Sequence, residues 1–370
     1  MSEVQRVILA LSLVPKLGAQ RIRMLLRAVE NPMDVFKLKQ KDLVAIQGIG
    51  GQVAAAVAGY KNWHRVDQIL ETTHKMGAEI ISLASKRYPP YLREIYDSPL
   101  LLWVLGSPDA LLNDNVAVVG TRTPSLYGKA MAEHFVEGLV AQNATIVSGL
   151  AYGIDTLAHR KTLDHKGRTV AVLGSGIDWV YPNANIPLSR RIMDNGGAVI
   201  TEFPPGTKPD AGNFPVRNRI VSGLCLGVLV IETGIKGGSM ITANSALDQN
   251  REVFIVPHNN SSRLGEGCNK LIKEGYGKLV QSVDDIFNEI SFQQKFSGVQ
   301  PKPLNSWREQ KLNEPAEQIC TLLEDGPLHI DVMSEKLKKN GTQLLIDLLE
   351  LEFSGYVSQK AGKVFELKNV

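Results

Sequence analysis

Three arginines sit where chemistry is possible. Arg122 closes a Gly120-Thr121-Arg122 turn directly after the apolar run Val116–Val119. Arg217 and Arg219 lie in Phe214-Pro215-Val216-Arg217-Asn218-Arg219. A guanidinium at the end of a buried strand needs an anion, either a carboxylate or a phosphate. Pro215 suits the first turn of a helix, so the second segment reads as a basic, amide-bearing helix start. Beside a crevice such a start can hold a phosphate backbone, with Phe214 free to stack on a base. The competing reading pairs Arg217 and Arg219 with Glu202 or Glu232 as structural ion pairs. Both readings stay open, including one arginine for each task. Gly237-Gly238-Ser239-Met240 opens another helix, with Ser239 as the expected cap. Glycine and serine ahead of a helix again make an anion-site geometry.

The elements that must position these groups follow one grammar. Val116–Val119 stops at Gly120, Thr145-Ile146-Val147 stops at Ser148-Gly149, and Thr169–Leu173 stops at Gly174-Ser175-Gly176. Ala198-Val199-Ile200 ends at Thr201-Glu202, Leu226–Ile231 at Glu232-Thr233-Gly234, and Glu252–Val256 at Pro257. Short continuous apolar runs fit strands buried on both faces. Helical stretches such as Leu126–Gln142 separate them. Strand, small-residue turn and helix in repetition predict an α/β fold with a Rossmann-like, doubly wound, mostly parallel sheet. Ligands of such sheets bind in the crevice at the carboxyl ends of the strands. Small residues there allow close approach, and hydroxyls with helix N–H groups suit phosphate oxygens. Asp178-Trp179-Val180-Tyr181-Pro182-Asn183 is expected to form a loop wall above that crevice, and Phe203–Pro209 a surface loop.

Catalytic groupings do not assemble. The seven histidines show no H-E-x-x-H or H-x-x-E-H spacing, and Cys225, Cys268 and Cys320 have no metal-ligand spacing. No metal and no cofactor is implied. Asp155 and His159 lie four apart on one helix, yet neither follows a nucleophile. Asp155 reads as a cap and His159 as a pocket or packing residue. A dinucleotide enzyme needs G-x-G-x-x-G after the first strand and an acidic residue about 20 positions on. The turns at Gly120 and Ser148 meet neither requirement. A phosphoribohydrolase would resemble a family with P-G-G-x-G-T-x-x-E, an order absent from Glu232–Gly238. The alternative function, a mononucleotide-binding enzyme on the same fold, is thus disfavoured, since fold alone does not fix function.

The 41 basic and 38 acidic residues leave a net charge of +3, so any polyanion site is a local patch. No apolar run reaches the roughly 18 residues of a spanning helix. Val7–Val14 lacks a cleavage site after it, and the chain is expected to be cytosolic.

The chain divides into five expected parts. Residues 1–80 read as helical. There, Val44–Gly50 before Gln52–Tyr60 resembles a helix-hairpin-helix, with Leu17-Gly18-Ala19-Gln20 as a degenerate copy. Its turn can offer N–H groups to a phosphate. The domain expected is thus helix-hairpin-helix or SAM-like; the other reading is a helical bundle with glycines for close packing. Residues 81–112 form a connecting extended segment in which Pro99–Gly106 reads as a buried strand. Tyr88, Tyr91 and Trp103 there are expected to pack rather than stack bases. Residues 113–290 are the α/β domain, 291–311 a polar linker, and 312–370 three helices and a hairpin matching a winged helix. Its third helix carries Asp347, Glu350 and Glu352 and argues against ordinary major-groove readout.

Taken in order, Gly120-Thr121-Arg122, Ser148–Asp155, the Tyr181-Pro182 loop, Phe214–Arg219 and Gly238-Ser239 with Thr242-Ala243 resemble the DNA processing protein A (DprA/Smf) family. Pro257-His258 and Asn250-Arg251 depart from its usual Pro-Gly and Gly-Arg. The resemblance implies a non-catalytic, single-stranded DNA-binding protein that loads the RecA recombinase in natural transformation. It also implies a homodimer built through the α/β domain. Arg122 is the first candidate contact, followed by Phe214, Arg217, Lys208 and Ser148. Gly120, Thr121, Gly149, Asn218, Arg219, Gly238 and Ser239 complete the set.

Overall fold

A computed structural model describes residues 3–290, 312, 314–324, 326–353, 356–360 and 364–367, in two compact units, Met1–Gln293 and Gln294–Val370. The first unit begins with five helices. α1 (Glu3–Ser12) and α2 (Ala19–Arg27) form one hairpin, α3 (Gln40–Val44) and α4 (Gly51–Ala58) a second, and α5 (Trp63–Lys75) packs on α1. The hairpins repeat bond for bond. Val14 N donates to Leu11 O at 3.0 Å as Ile46 N does to Leu43 O at 3.1 Å; Leu17 N donates to Val14 O at 3.2 Å as Ile49 N does to Ile46 O at 3.1 Å. Lys16 and Gly48 occupy the left-handed region at φ 61° and 82°. Gly18 and Gly50 precede the second helices at φ −80° and −79°. The degenerate copy is therefore the same turn with lysine in the glycine's place. Close helix packing does not explain Gly18 or Gly50, because a Cβ on either would meet nothing within 4 Å. Leu17 and Ile49 are the turn residues that bury.

The chain then enters the sheet earlier than its hydrophobic pattern suggests. β1 (Glu79–Ser82) and β2 (Leu101–Gly106) flank the short helix α6 (Pro90–Glu94), and β1 pairs antiparallel with β2. The 81–112 segment is thus sheet edge rather than only a connection. Two-sided burial of Leu101–Val104 drives this, with Trp103 Nε1 donating to Thr73 Oγ1 at 3.1 Å. Tyr88 is likewise buried, its hydroxyl donating to Pro99 O at 2.7 Å.

The α/β repeat follows: β3 (Asn115–Val119), α7 (Leu126–Ala141), β4 (Thr145–Ser148), α8 (Ile154–Asp164), β5 (Thr169–Val172), α9 (Ile186–Asp194) and β6 (Ala198–Thr201). Then come α10 (Asn213–Gly223), β7 (Gly227–Val230), α11 (Gly238–Asp248), β8 (Glu252–Ile255), α12 (Glu266–Lys273), β9 (Lys278–Leu279) and α13 (Val283–Phe287). Among the described residues the sheet has nine strands in the order β1-β2-β6-β5-β4-β3-β7-β8-β9. From β3 to β9 every neighbouring pair is parallel, and β2 joins β6 antiparallel. Winding runs from β3 through β4 and β5 to β6, then returns to β7 on the other side of β3. The switch therefore lies between β3 and β7, where the connecting loops lead to opposite sides and leave a crevice. Apolar side chains fill both faces of the sheet, with Val116, Val118 and Phe135 on one and Ala117, Val119 and Val228 on the other.

In the second unit α14 (Glu314–Leu323), α15 (Ile330–Leu337) and α16 (Gly341–Phe353) pack with a small sheet of order β10-β12-β11. Its strands are β10 (Leu328–His329), β11 (Val357–Lys360) and β12 (Val364–Leu367). Ile319, Met333, Leu348 and Phe365 form its core. This is a winged-helix arrangement, and the acidic α16 holds Asp347 against Lys339 at 3.0 Å. The expected linker at 291–311 and the turn residues 361–363 lie outside the described residues.

Candidate functional site

A pocket of about 750 Å³ opens at the switch point. Gly120, Thr121 and Arg122 after β3, Gly149 after β4, and Thr233 and Gly234 after β7 line it, together with the first turns of α10 and α11. The strand ends supply small residues because each strand must turn at once into a loop, and at Gly120 and Gly149 because Ile154 and the Arg217 guanidinium pack directly against the backbone.

Two guanidiniums enter this pocket with different freedom. Arg122 is exposed at the mouth, with Cζ 6.0 Å from the centre of the Phe214 ring. Phe214 in turn lies 5.7 Å from Tyr181, tilted by 39°. Arg122, Phe214 and Tyr181 thus form a row of cation and two aromatic faces. Tyr181 belongs to the expected loop wall and lines the pocket, across a cis Tyr181–Pro182 peptide.

Arg217 is only 4% exposed. Its Nη1 donates to Gly149 O at 2.6 Å and to Val172 O, and its Nε to Asn218 Oδ1 at 3.3 Å. Asp155, also buried, faces it. Burial lowers the arginine to about 10, opposed by Asp155 and assisted by Arg122. Burial raises the Asp155 carboxyl above its ordinary value, opposed by Arg217 and by N–H donors from Ala151 and Gly149. Those donors lie 3.3 and 3.1 Å from Asp155 Oδ2. Asp155 is therefore not the helix cap expected of it. Gly153 holds the N-cap position, and Asp155 in the first turn of α8 gathers the loop before it.

Arg219 points away from the pocket. It pairs with Glu202 and, through Nε, with Asp97 at 3.1 Å. The two arginines diverge because they are two positions apart on a helix and so face different sides. Glu232, the other carboxylate considered for them, is committed elsewhere: it accepts from Ser125 N at 2.8 Å and from Ser125 Oγ at 2.6 Å, at the start of α7.

Several further assignments need correction. Ser148 is fully buried, and its hydroxyl donates to Val118 O at 2.7 Å, so it is absent from the pocket wall. Lys208 is exposed but does not line the pocket. Ser239 does not cap α11, because Gly237 is the N-cap residue; Ser239 sits in the first turn. Gly120, Thr121, Arg122, Gly149, Phe214, Arg217, Asn218, Gly238 and Ser239 do converge. Thr233, Gly234 and Thr242 join them, although the sequence reading did not single them out as contacts. Their signals were available in the strand end Glu232-Thr233-Gly234 and in the Thr242-Ala243 pair.

His159 is buried beneath the site. Thr169 Oγ1 donates to Ile146 O at 2.7 Å, so its proton is spent, and His159 Nδ1 at 2.6 Å must be the donor to it. Nε2 is left bare and buried, with no partner among the described residues. Burial lowers this imidazole to about 3, with Arg217 contributing in the same direction.

Residues 79–291 match the family described as DNA recombination-mediator protein A, and residues 306–363 match the DprA winged helix domain. Protein Smf of Escherichia coli is 36% identical over 292 residues, 78% of this chain and 77% of that protein. The X-ray structure of DNA processing protein A from Streptococcus pneumoniae aligns with a TM-score of 0.66 at 37% identity, covering 78% of this chain and 98% of that one. DNA processing protein A of Helicobacter pylori, solved for its single-stranded DNA binding mode, aligns at 0.52 with 26% identity, covering 57% and 94%.

Proposed function

The chain belongs to the DNA recombination-mediator protein A family, and from that premise we propose that its switch-point pocket binds single-stranded DNA. The observation that carries this reading is the donor set. Arg122, the loops at Gly120 and Gly234 and two helix starts surround a cavity whose one lining carboxylate, Asp155, is offset by Arg217. Such a surface suits phosphate oxygens. Phe214 and Tyr181 offer faces on which a base can stack without being read. Arg122, Gly120, Thr121, Gly149, Phe214, Asn218, Gly238 and Ser239 are the contacts of this reading. Arg217 braces the wall, and Lys208 meets the strand outside it.

The protein acts without catalysis in this reading. Loading of the RecA recombinase on incoming DNA in natural transformation, assembly as a homodimer and a cytoplasmic location follow from the family resemblance. Among the described residues no helix is long and apolar enough to cross a membrane.

The test compares a labelled oligothymidine with a duplex of equal length by fluorescence anisotropy. Strong preference for the single strand is expected. Equal affinity for both contradicts a pocket that admits one strand.

A further inference from the structure

We propose that the first turn of α11 is a phosphate seat in the pocket, with the Ser239 hydroxyl as its side-chain donor. The identity of the phosphate rests on the single-strand reading above; the seat itself rests on geometry.

Ser239 lines the pocket and is 6% exposed, yet its Oγ has no hydrogen-bond partner among the described residues. A buried hydroxyl left so is uncommon, and one that faces a cavity points to a ligand that completes it. The helix around it lacks the usual remedy as well. Its N-cap is Gly237, which has no side chain to accept from the first-turn amides. Met240 N already donates to Gly237 O at 3.1 Å, which leaves the amides of Gly238 and Ser239 as the open pair. A Cβ at Gly238 would meet nothing within 4 Å, so there is open space beside this residue. α11 runs over 11 residues, long enough for its N-terminus to carry a useful positive dipole.

The chemistry follows from the count of donors. Two open amides and one hydroxyl belong to the first turn of α11, which holds no acidic residue. A cation is excluded by such a set, and a ligand with several acceptor oxygens satisfies it. Arg122 shares the same pocket, and Asp155 is held by the Gly149 and Ala151 amides. A phosphate group therefore meets a positive field without an opposing free carboxylate. The seat holds this phosphate whether it belongs to a DNA backbone or to a free nucleotide, and the experiment separates the two.

The full chain is titrated with labelled oligothymidine in the presence of inorganic phosphate, or of sodium chloride at matched ionic strength. Phosphate is expected to displace the strand several-fold more effectively than chloride. In Ser239→Ala the oligothymidine affinity should fall about tenfold, the scale of one hydrogen bond to a charged group, and the difference between phosphate and chloride should vanish. Equal displacement by both salts in the unaltered chain overturns the seat, and so does a Ser239→Ala variant with unchanged affinity and unchanged competition. The salt comparison needs no variant, so misfolding of Ser239→Ala does not shield the proposal. If oligothymidine does not bind at all, the single-strand reading fails. Thermal stabilisation by phosphate over chloride, lost in Ser239→Ala, then still supports the seat, and its absence overturns it. Thymidine monophosphate binding more tightly than oligothymidine supports the seat and overturns the strand as its natural occupant.

Discussion

The guanidinium of Arg217 lies against the Cα of Gly149: a Cβ built on that glycine would stand 2.6 Å from Cζ, while Nη1 donates to the glycine's own carbonyl at 2.6 Å. This contact ties α10 to the end of β4. A second bond, to Val172 O, ties it to β5 as well. The pocket wall is therefore one cross-braced unit, and its deepest arginine is spent on backbone carbonyls.

Gly149→Ala is expected to push Arg217 out of its seat without removing any charge. Oligothymidine affinity and the urea unfolding midpoint should fall together. A variant that keeps both would show that Arg217 has another equally good position.

Arg217→Met removes the positive charge that offsets the buried Asp155 and leaves the carbonyls of Gly149 and Val172 without their donor. A loss of about 1–3 kcal/mol in stability is expected, the scale of buried polar groups left unsatisfied, with part of it recovered in the Asp155→Asn, Arg217→Met double variant. Urea denaturation of the three variants measures the coupling. Unchanged stability in Arg217→Met would return that residue to the role of a free phosphate ligand.

Much of this site is readable from residue order. Strand ends in Gly, Ser and Thr located the crevice, because a parallel sheet places those ends side by side. The fate of individual polar groups was not readable. Ser148 and Gly149 are neighbours, yet one hydroxyl turns inward to Val118 while the other residue's backbone faces the pocket. Arg217 and Arg219 differ only in helix face, and their partners Asp155, Asp97 and Glu202 are distant in sequence. β1 was missed because Glu79–Ser82 has only two apolar residues, Ile80 and Ile81, too few to form the continuous apolar run that marks the other buried strands.

His159 should make stability fall in mild acid. Burial holds its folded pKa at about 3, against 6.5 ordinarily. The unfolded chain takes up the proton first, so this contribution is intact above pH 6.5 and is lost as pH falls from there towards 3. The slope is at most about 1.4 kcal/mol per pH unit, or roughly 2 kcal/mol by pH 5. Urea midpoints of the unaltered chain and His159→Gln, compared at pH 7 and pH 5, isolate the effect. The gap between the two should narrow in acid, and a constant gap would contradict a buried neutral ring.

Phe214→Ala should weaken oligothymidine binding through lost stacking, worth about 1–3 kcal/mol per base. An abasic oligonucleotide of the same length should bind the variant and the unaltered chain alike. A parallel loss on both would mean that Phe214 supports the loop rather than a base.

The central claim is a phosphate-binding pocket with Arg122 at its mouth. Its most direct test is the salt dependence of oligothymidine binding by the unaltered chain and by Arg122→Ala. Because Arg122 is exposed, the variant should keep its fold. The account predicts weaker binding and a log–log salt slope shallower by about 0.7, one phosphate contact fewer. Equal affinity and equal slope in the two proteins would place the DNA elsewhere and contradict it.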